Sequence, residues 1–326
     1  MISKRSWLNY IIAFFIIITI NFIVPRILPG EPLNAIYGNE VLVKLSAETR
    51  AYLSSYYGMD KPVLVQYFLY IASVFKGNLG YSFYYKKPVI ELLLSYFPYT
   101  IMLMGLAMLI STILAIVLGI ESGWRRGRKS DKFILFSVIF SSSFPSFFIG
   151  AVFLIVFGVL LNILPFQGAR TLYSGLGSLS MFIDFLKHLI LPLFSLVMVF
   201  LPFSYLLTRN SMISNLKEPY ILLARAKGLS DTRIKYIHAG RNSLIPVATQ
   251  VGIRLGTMML TGTLFIEIIF SYPGMGSLIY NSISNRDYPV LQGSFLFTAF
   301  LVLFINFLMD LFYTKLDPRI SYAYKH

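Results

Sequence analysis

Long runs of apolar residues recur along the chain, separated by polar segments of unequal length. Most runs reach the roughly 20 residues that an α-helix needs to cross a bilayer. The pattern predicts six membrane-spanning helices, at residues 7–28, 98–120, 133–161, 186–208, 243–270 and 291–313. Pro145 predicts a tilt or a break in the third, where the hydroxyls of Ser141–Ser146 can satisfy freed carbonyls. The chain is therefore expected to be an all-α, polytopic membrane protein.

The first apolar run follows Lys4 and Arg5, as the core of a signal peptide would. Its apolar core from Tyr10 to Val24 is long, however, and no small-residue cleavage site follows it. We therefore predict that this run is an uncleaved membrane anchor.

Basic residues are distributed unevenly between the connections. The chain carries 28 Lys and Arg against 14 Asp and Glu. Residues 121–132 hold five basic residues and residues 209–242 hold seven, whereas 162–185 and 271–290 hold one each. Positive charge collects in cytoplasmic loops, so both termini and the two basic loops are expected in the cytoplasm. This distribution also favours a membrane protein over a nucleic-acid-binding protein.

The connection at 29–97 is long and is expected on the outer side. Within it, Ser46–Tyr57 and Val63–Phe75 are rich in Tyr and Phe and are predicted to form short amphipathic helices at the membrane surface. The expected domains are an anchor at 1–28, an extracytoplasmic insertion at 29–97, a core transmembrane domain at 98–313 that includes the cytoplasmic loop 209–242, and a cytoplasmic tail at 314–326.

Composition narrows the function classes. With 56% apolar and 13% charged residues, the chain is not a soluble protein. The absence of cysteine excludes disulfides, thiolate metal sites and cysteine nucleophiles. The sequence has no phosphate-binding loop, no H-E-x-x-H metal site and no G-x-S-x-G nucleophile turn. We therefore expect no enzymatic activity, no metal site and no cofactor in this chain.

The basic segment 218–231 carries the start and stop signals of two short helices. Pro219 suits a first helical turn, Gly228 can end that helix in the left-handed conformation, and Ser230 can cap a second helix. Three residues of the first helix are expected to share a face: Tyr220, Leu223 and Ala224. From the residues alone, a helix docked in another protein's groove and a solvated basic loop remain equally open.

This segment, continuing through Arg241–Asn242 and Leu244–Pro246, resembles the coupling-loop motif of the dipeptide/oligopeptide/nickel family of ATP-binding cassette (ABC) importer permeases. Leu222 stands where the broader importer pattern has a glutamate. Further matching motifs run the length of the chain, at Pro29–Pro32, Tyr57–Pro62, Gly77–Ser82, Phe270–Gly276, Arg286–Gly293 and Asp317–Arg319. The outer-loop motifs resemble the first of the family's two permease types.

The resemblance implies a type I ABC importer permease fold and a subunit that forms the translocation path for peptides or a related solute, such as nickel or a metal chelate. The implied partners are a second homologous permease subunit, two cytoplasmic ATPase subunits that bind the ATP, and an extracytoplasmic solute-binding protein. The residues implied in ATPase coupling are Tyr220, Leu223, Ala224, Arg225, Ala226, Lys227, Gly228 and Leu229.

The alternative is an ion-coupled secondary transporter, which should carry ionisable groups in mid-membrane. Few candidates exist: Arg254 and Glu267 in the fifth span, and Asp310 in the sixth. Asn21, in the first span, is expected to bond a neighbouring helix rather than a solute.

The translocation path has a weaker signature in the fifth span. Gly252 and Gly256 form a G-x-x-x-G pattern, which serves either helix packing or a passage with room for solute. Arg254 lies about 12 Å beyond Pro246 at the usual helical rise. It either reaches back to the cytoplasmic surface or lines the passage and favours anionic cargo.

Overall fold

The computed structural model describes residues 4–27, 43, 46, 48–49, 61–171, 178–261 and 263–316. This part of the chain is helical, apart from loops and an isolated antiparallel bridge between Tyr81 and Pro88. The helix predicted at Ser46–Tyr57 lies mostly outside the described residues. The motifs at Pro29–Pro32 and Asp317–Arg319 lie outside them as well.

The helices of the described part follow one another in this order: α1 (Lys4–Ile27), α2 (Val63–Phe75), α3 (Val89–Trp124), α4 (Lys129–Ser142), α5 (Ser146–Phe153) running into a π-helical turn (Leu154–Leu160), α6 (Ser178–Asn215), α7 (Pro219–Ala226), α8 (Asp231–Arg233) running into a second π-helical turn (Ile234–Gly240), α9 (Arg241–Thr261), α10 (Leu264–Ile269), α11 (Met275–Ser284) and α12 (Tyr288–Leu316). The all-α prediction is confirmed, and α2 has the bounds predicted from its sequence.

Three of the described helices are long and apolar enough to cross a bilayer by themselves: α3, α6 and the Tyr288–Leu311 part of α12. Helix α4 and the segment Ser146–Leu160 reach that length as a bent pair. Helix α1 contributes a shorter apolar stretch, Leu8–Val24. A polytopic membrane protein is therefore confirmed, whereas the number of six spans stays a prediction.

The predicted break at Pro145 is observed. Helix α4 ends at Ser142, α5 begins at Ser146 and the two segments are bent by 101°. The hydroxyls of Ser142 and Ser143 both donate to the Ile139 carbonyl, at 2.7 and 3.1 Å. These bonds satisfy backbone oxygen at a helix end where lipid supplies no donor.

The chain divides into two compact units. The first comprises residues 1–99 and 274–326. Its apolar core consists of Val89, Leu92, Leu93, Met275, Leu278 and Val290. Helix α1 packs on α12, where Asn21 and Gln292 each donate a side-chain hydrogen bond to the other's backbone carbonyl, at 3.2 and 2.8 Å. Asn21 thus bonds a neighbouring helix, as predicted.

A buried carboxylate holds the loop before α3 within this unit. Asp287, 2% exposed, accepts hydrogen bonds from the Ser82 hydroxyl at 2.5 Å and the Tyr84 backbone N–H at 3.3 Å. The Ser82 hydroxyl in turn accepts from the Tyr85 N–H at 2.9 Å. The loop at 82–85 is therefore fixed to the start of α12 by side chains from two of the sequence motifs.

The second unit comprises residues 100–273, with α6 at its centre. Helix α6 packs against α4, α5, α9 and α10. Gly119 and Gly123 of α3 allow a close approach to the same helix, since an added Cβ would lie 2.6 Å from Thr208 and 2.8 Å from Met212. Small residues at this spacing let two helix backbones meet closely, so α3 and α6 form a closely packed pair.

Candidate functional site

The helical hairpin at residues 218–240 has the local structure that its sequence predicts. Helix α7 begins after Glu218 with Pro219 in its first turn, and Gly228 follows it at a φ of +71°. Ser230 precedes α8, although its side chain makes no capping hydrogen bond. The predicted helix, glycine break and second helix are therefore observed, and a π-helical turn extends the second helix.

Helix α7 has an inward and an outward face. Ile221 and Ala224 are 1% and 5% exposed and lie in an apolar cluster with Ile120 of α3 and Met212 of α6. Leu222 and Leu223 are 66% and 56% exposed. The inward face thus holds the hairpin to two long helices, and the outward face presents adjacent leucines.

This arrangement corrects one part of the sequence prediction. Ala224 was expected on one face with Tyr220 and Leu223, but its side chain points into the chain's own core. The reason is the spacing of Ile221 and Ala224, one helical turn apart, which makes them the pair that meets α3 and α6. Tyr220 stays at the surface, where its hydroxyl accepts a hydrogen bond from Asn242 at 3.0 Å.

The remaining predicted coupling residues follow the outward leucines. Those exposed to solvent are Arg225, Ala226, Lys227 and Gly228, and Leu229 is partly buried beneath them. The guanidinium of Arg225 lies 5.9 Å from the ring centre of Trp124, at the end of α3. The hairpin therefore offers a small, basic and apolar surface on a firmly packed base.

Sequence reasoning missed a buried polar network beside this hairpin. Asp131 of α4 accepts hydrogen bonds from Arg209 Nε at 2.8 Å and from the Arg209 terminal nitrogen Nη2 at 2.9 Å. It also accepts from the Ser122 hydroxyl at 2.5 Å and the Gly127 N–H at 2.8 Å. The network joins α3, α4 and α6. No signal in the sequence pointed to it, because Arg209 was only one of several basic residues in the predicted loop 209–242.

The residues predicted for the translocation path lie on α9. The Arg254 guanidinium stacks on the ring of Phe203 in α6, 3.6 Å from its centre, and the residue is partly exposed. A cation over an aromatic face is stabilised by the ring's negative face. Gly252 and Gly256 belong to the same helix, and their surroundings are outside the described part of the structure.

The other ionisable candidates for ion coupling have protein partners. Glu267 in α10 is completely buried and accepts a hydrogen bond from the Thr100 hydroxyl at 2.7 Å. Asp310 in α12 accepts one from the Tyr10 hydroxyl at 2.6 Å. Carboxylates bonded to a neighbouring helix in this way are consistent with helix packing in a membrane.

Comparison with known proteins matches nearly the whole length of the chain to one protein family. Residues 111–322 match the family described as "binding-protein-dependent transport system inner membrane component", and residues 1–104 match its N-terminal part. Similar proteins include a di/tripeptide transport system permease of Pseudomonas aeruginosa (33% identity over 95% of both chains). A dipeptide transport system permease of Escherichia coli K12 is 34% identical over 97% of both chains. A glutathione transport system permease of Salmonella paratyphi A is 32% identical over 98% of both chains.

These findings confirm the resemblance seen in the sequence and the type I permease fold that it implies. They exclude the alternative of an ion-coupled transporter and confirm that the chain is not an enzyme, because family members are permease components of ABC importers. Such permeases work with ATPase and solute-binding partners. The chain belongs to the family of binding-protein-dependent transport system inner membrane components, and it is a multi-pass membrane permease of an ABC importer.

Proposed function

We propose that this permease carries short peptides. The observation that supports this cargo is the similarity, over nearly the whole chain, to permeases named for di/tripeptides, dipeptides and glutathione. These solutes share free carboxylate groups and a small size. Nickel or a metal chelate, also implied by the sequence resemblance, is the alternative cargo.

Helix α7 and the glycine break that follows it, within the 218–240 hairpin, are the proposed contact for the ATPase. The outward leucines, the small residues Ala226 and Gly228, and the flanking cations fit a groove that is apolar at its base and acidic at its rim. Leu222 is directed outward, so the groove must accept an apolar side chain where other importers present a carboxylate. The inward face of α7 passes any displacement of the hairpin to α3 and α6.

The proposed assembly contains this chain, a second homologous permease, two ATPase subunits and one extracytoplasmic binding protein. Both termini, the tail at 314–326 and the loops at 121–132 and 209–242 are placed in the cytoplasm. The segments at 29–97 and 271–290 are placed outside, where they meet the binding protein. The charge distribution supports this orientation.

Single cysteines test the orientation, since the chain has none of its own. An impermeant thiol reagent added to intact cells should label Asn285→Cys and leave Ser230→Cys unlabelled, because the two exposed positions are proposed to lie on opposite sides of the membrane. Both variants should be labelled after the membrane is permeabilised. Labelling of Ser230→Cys in intact cells, with Asn285→Cys protected, would reverse the proposed topology.

Arg254 is the proposed site for the peptide carboxylate along the path. Its guanidinium stacks on Phe203, and a charged group at this depth is stabilised by a polar passage rather than by lipid. The N–H donors of a stacked guanidinium point outward in the plane of the group and can meet a carboxylate. Gly252 and Gly256 are proposed to leave room beside it.

Uptake of a labelled dipeptide by the reconstituted complex tests both the cargo and the Arg254 role. The wild-type complex should accumulate the dipeptide when ATP and the binding protein are supplied. Arg254→Gln should reduce uptake about tenfold at matched abundance, because one charge-assisted hydrogen bond contributes roughly 1.5 kcal/mol. Arg254→Lys keeps the charge and should retain part of the uptake.

This assay can refute the peptide cargo and the role of Arg254 independently of each other. A wild-type complex that ignores dipeptides and accumulates a nickel chelate would refute the peptide cargo. Normal dipeptide uptake by Arg254→Gln would refute the passage role of Arg254 and leave the cargo intact.

A further inference from the structure

An ion pair ties the 218–240 hairpin to the end of α3. Lys235, in the π-helical turn of the hairpin, is 8% exposed, and its ammonium group donates to Glu121 Oε1 near the end of α3. The Tyr236 hydroxyl donates to the same oxygen at 2.6 Å. A lysine is rarely buried without a partner, so Glu121 is what allows Lys235 to point inward.

The backbone on either side of Lys235 is fitted to the same turn of α3. Ile234 and Ala239 are buried in the cluster that contains Ile120. At Gly240, an added Cβ would lie 3.2 Å from Ile120 Cδ1 and 2.7 Å from the Lys235 carbonyl. Apolar packing, a close backbone approach and an ion pair between buried Lys235 and partly exposed Glu121 thus coincide at one place.

This place is one route by which a force on the hairpin reaches the membrane domain, beside the contacts of α7 with α6 and the direct continuation into α9. Helix α3 runs without interruption from Val89 to Trp124, about 54 Å at the usual rise. Apolar contacts are non-directional, whereas the ion pair holds one ammonium to one carboxylate, and the buried Lys235 loses its partner when the two groups separate. The ion pair therefore resists a sideways slip of the hairpin along α3.

We propose that Glu121 and Lys235 are positioning residues for transport, which make the hairpin and the end of α3 move as one body when the ATPase acts. The inference rests on the proposed docking of the hairpin to the ATPase. Neither residue contacts the ATPase or the solute in this scheme; both act through the hairpin.

The first test compares the solute moved per ATP hydrolysed in the complete reconstituted complex. Lys235→Met should lower this ratio about fivefold while basal ATP hydrolysis persists, a size usual for the coupling between two sites. The charge-reversed pair Glu121→Lys with Lys235→Glu should restore most of the ratio. Arg125→Met is the matched control, because Arg125 is half-exposed and lies 3.5 Å from the other oxygen of Glu121. Exposed pairs of this kind contribute little, so its ratio should stay normal.

The second test leaves the ion pair in place. Arg125→Cys and Tyr236→Cys introduce thiols on two exposed side chains that both reach Glu121. Joining them with a short bis-maleimide, in a complex whose partners lack reactive cysteines, should leave transport unchanged, because the linked parts are expected to move together. If Lys235→Met fails to assemble, this measurement still tests whether the hairpin and the end of α3 move as one body, and the charge-reversed pair then tests the ion pair itself.

Either of two results would overturn the inference. One is a normal transport ratio in an assembled Lys235→Met complex, and the other is a block of transport by the cross-link. Failure of the docking proposal itself is recognised separately, because a Gly228→Leu complex would then transport normally. If Gly228→Leu uncouples transport and Lys235→Met does not, the ion-pair role alone is wrong.

Discussion

Gly228→Leu is expected to abolish most solute uptake while the permease still inserts into the membrane. Gly228 has a φ of +71° and no atom within 4 Å of an added Cβ, so the chain itself has space for a side chain there. Two effects are expected: a left-handed leucine costs about 1–2 kcal/mol of local strain, and its side chain projects from the surface proposed to dock. Losing a central interface contact costs about 2 kcal/mol or more, which corresponds to a loss of about thirtyfold.

The measurement is uptake together with solute-stimulated ATP hydrolysis at matched membrane abundance. Gly127→Leu is the matched control, since Gly127 has a φ of +84°, is exposed and also has no atom within 4 Å of an added Cβ. It carries the same strain outside the hairpin. Normal uptake by Gly228→Leu, or an equal loss in both variants, would contradict docking through the hairpin.

Arg209→Met is expected to destabilise the permease by about 3–5 kcal/mol, because it leaves the carboxylate of Asp131 buried without its cation. Asp131 is 2% exposed and receives hydrogen bonds from two nitrogens of the Arg209 side chain. The Ser122 hydroxyl, itself bonded to Tyr205 at 2.6 Å, would lose its place in the network as well. The expected observation is a lower apparent melting temperature and a lower yield of the purified complex.

Two variants separate the buried network from a general charge effect. Arg233→Met removes an exposed cation from the hairpin and should leave the melting temperature nearly unchanged. Asp131→Asn added to Arg209→Met removes the buried charge and should recover part of the lost stability, since a neutral amide costs less to bury. A melting temperature for Arg209→Met equal to that of Arg233→Met would show that the pair contributes no stability.

The local structure of the hairpin was predictable because each signal acts over a few residues. The ring of Pro219 fixes its φ, and Gly228 tolerates a positive φ that other residues resist. The bend beside Pro145 follows from the same backbone chemistry, and the bounds of α2 follow from Pro62 before it and Gly77 after it. No tertiary contact was required to place these turns.

The face that α7 turns inward could not be predicted from the sequence. Three consecutive residues are apolar, Ile221, Leu222 and Leu223, and a helix this short offers no clear stripe. Burial of Ile221 and Ala224 was decided by α3 and α6, which supply the cluster that receives them. The prediction for Ala224 was therefore wrong because the sequence does not show which helices pack against α7. The helix itself was predicted correctly.

The amino-acid sequence by itself determined the membrane class, the helical fold, the family and the place of the hairpin, because hydrophobicity, turn chemistry and motif order are properties of consecutive residues. The tertiary structure alone decided the pairing of Asp131 with Arg209, 78 residues apart, and of Glu121 with Lys235, 114 residues apart. In the sequence these residues are ordinary charges of basic loops. They become specific partners because the packing of α3 against α6 and the hairpin buries Asp131 and Lys235, and a buried charge is stable where an opposite charge meets it.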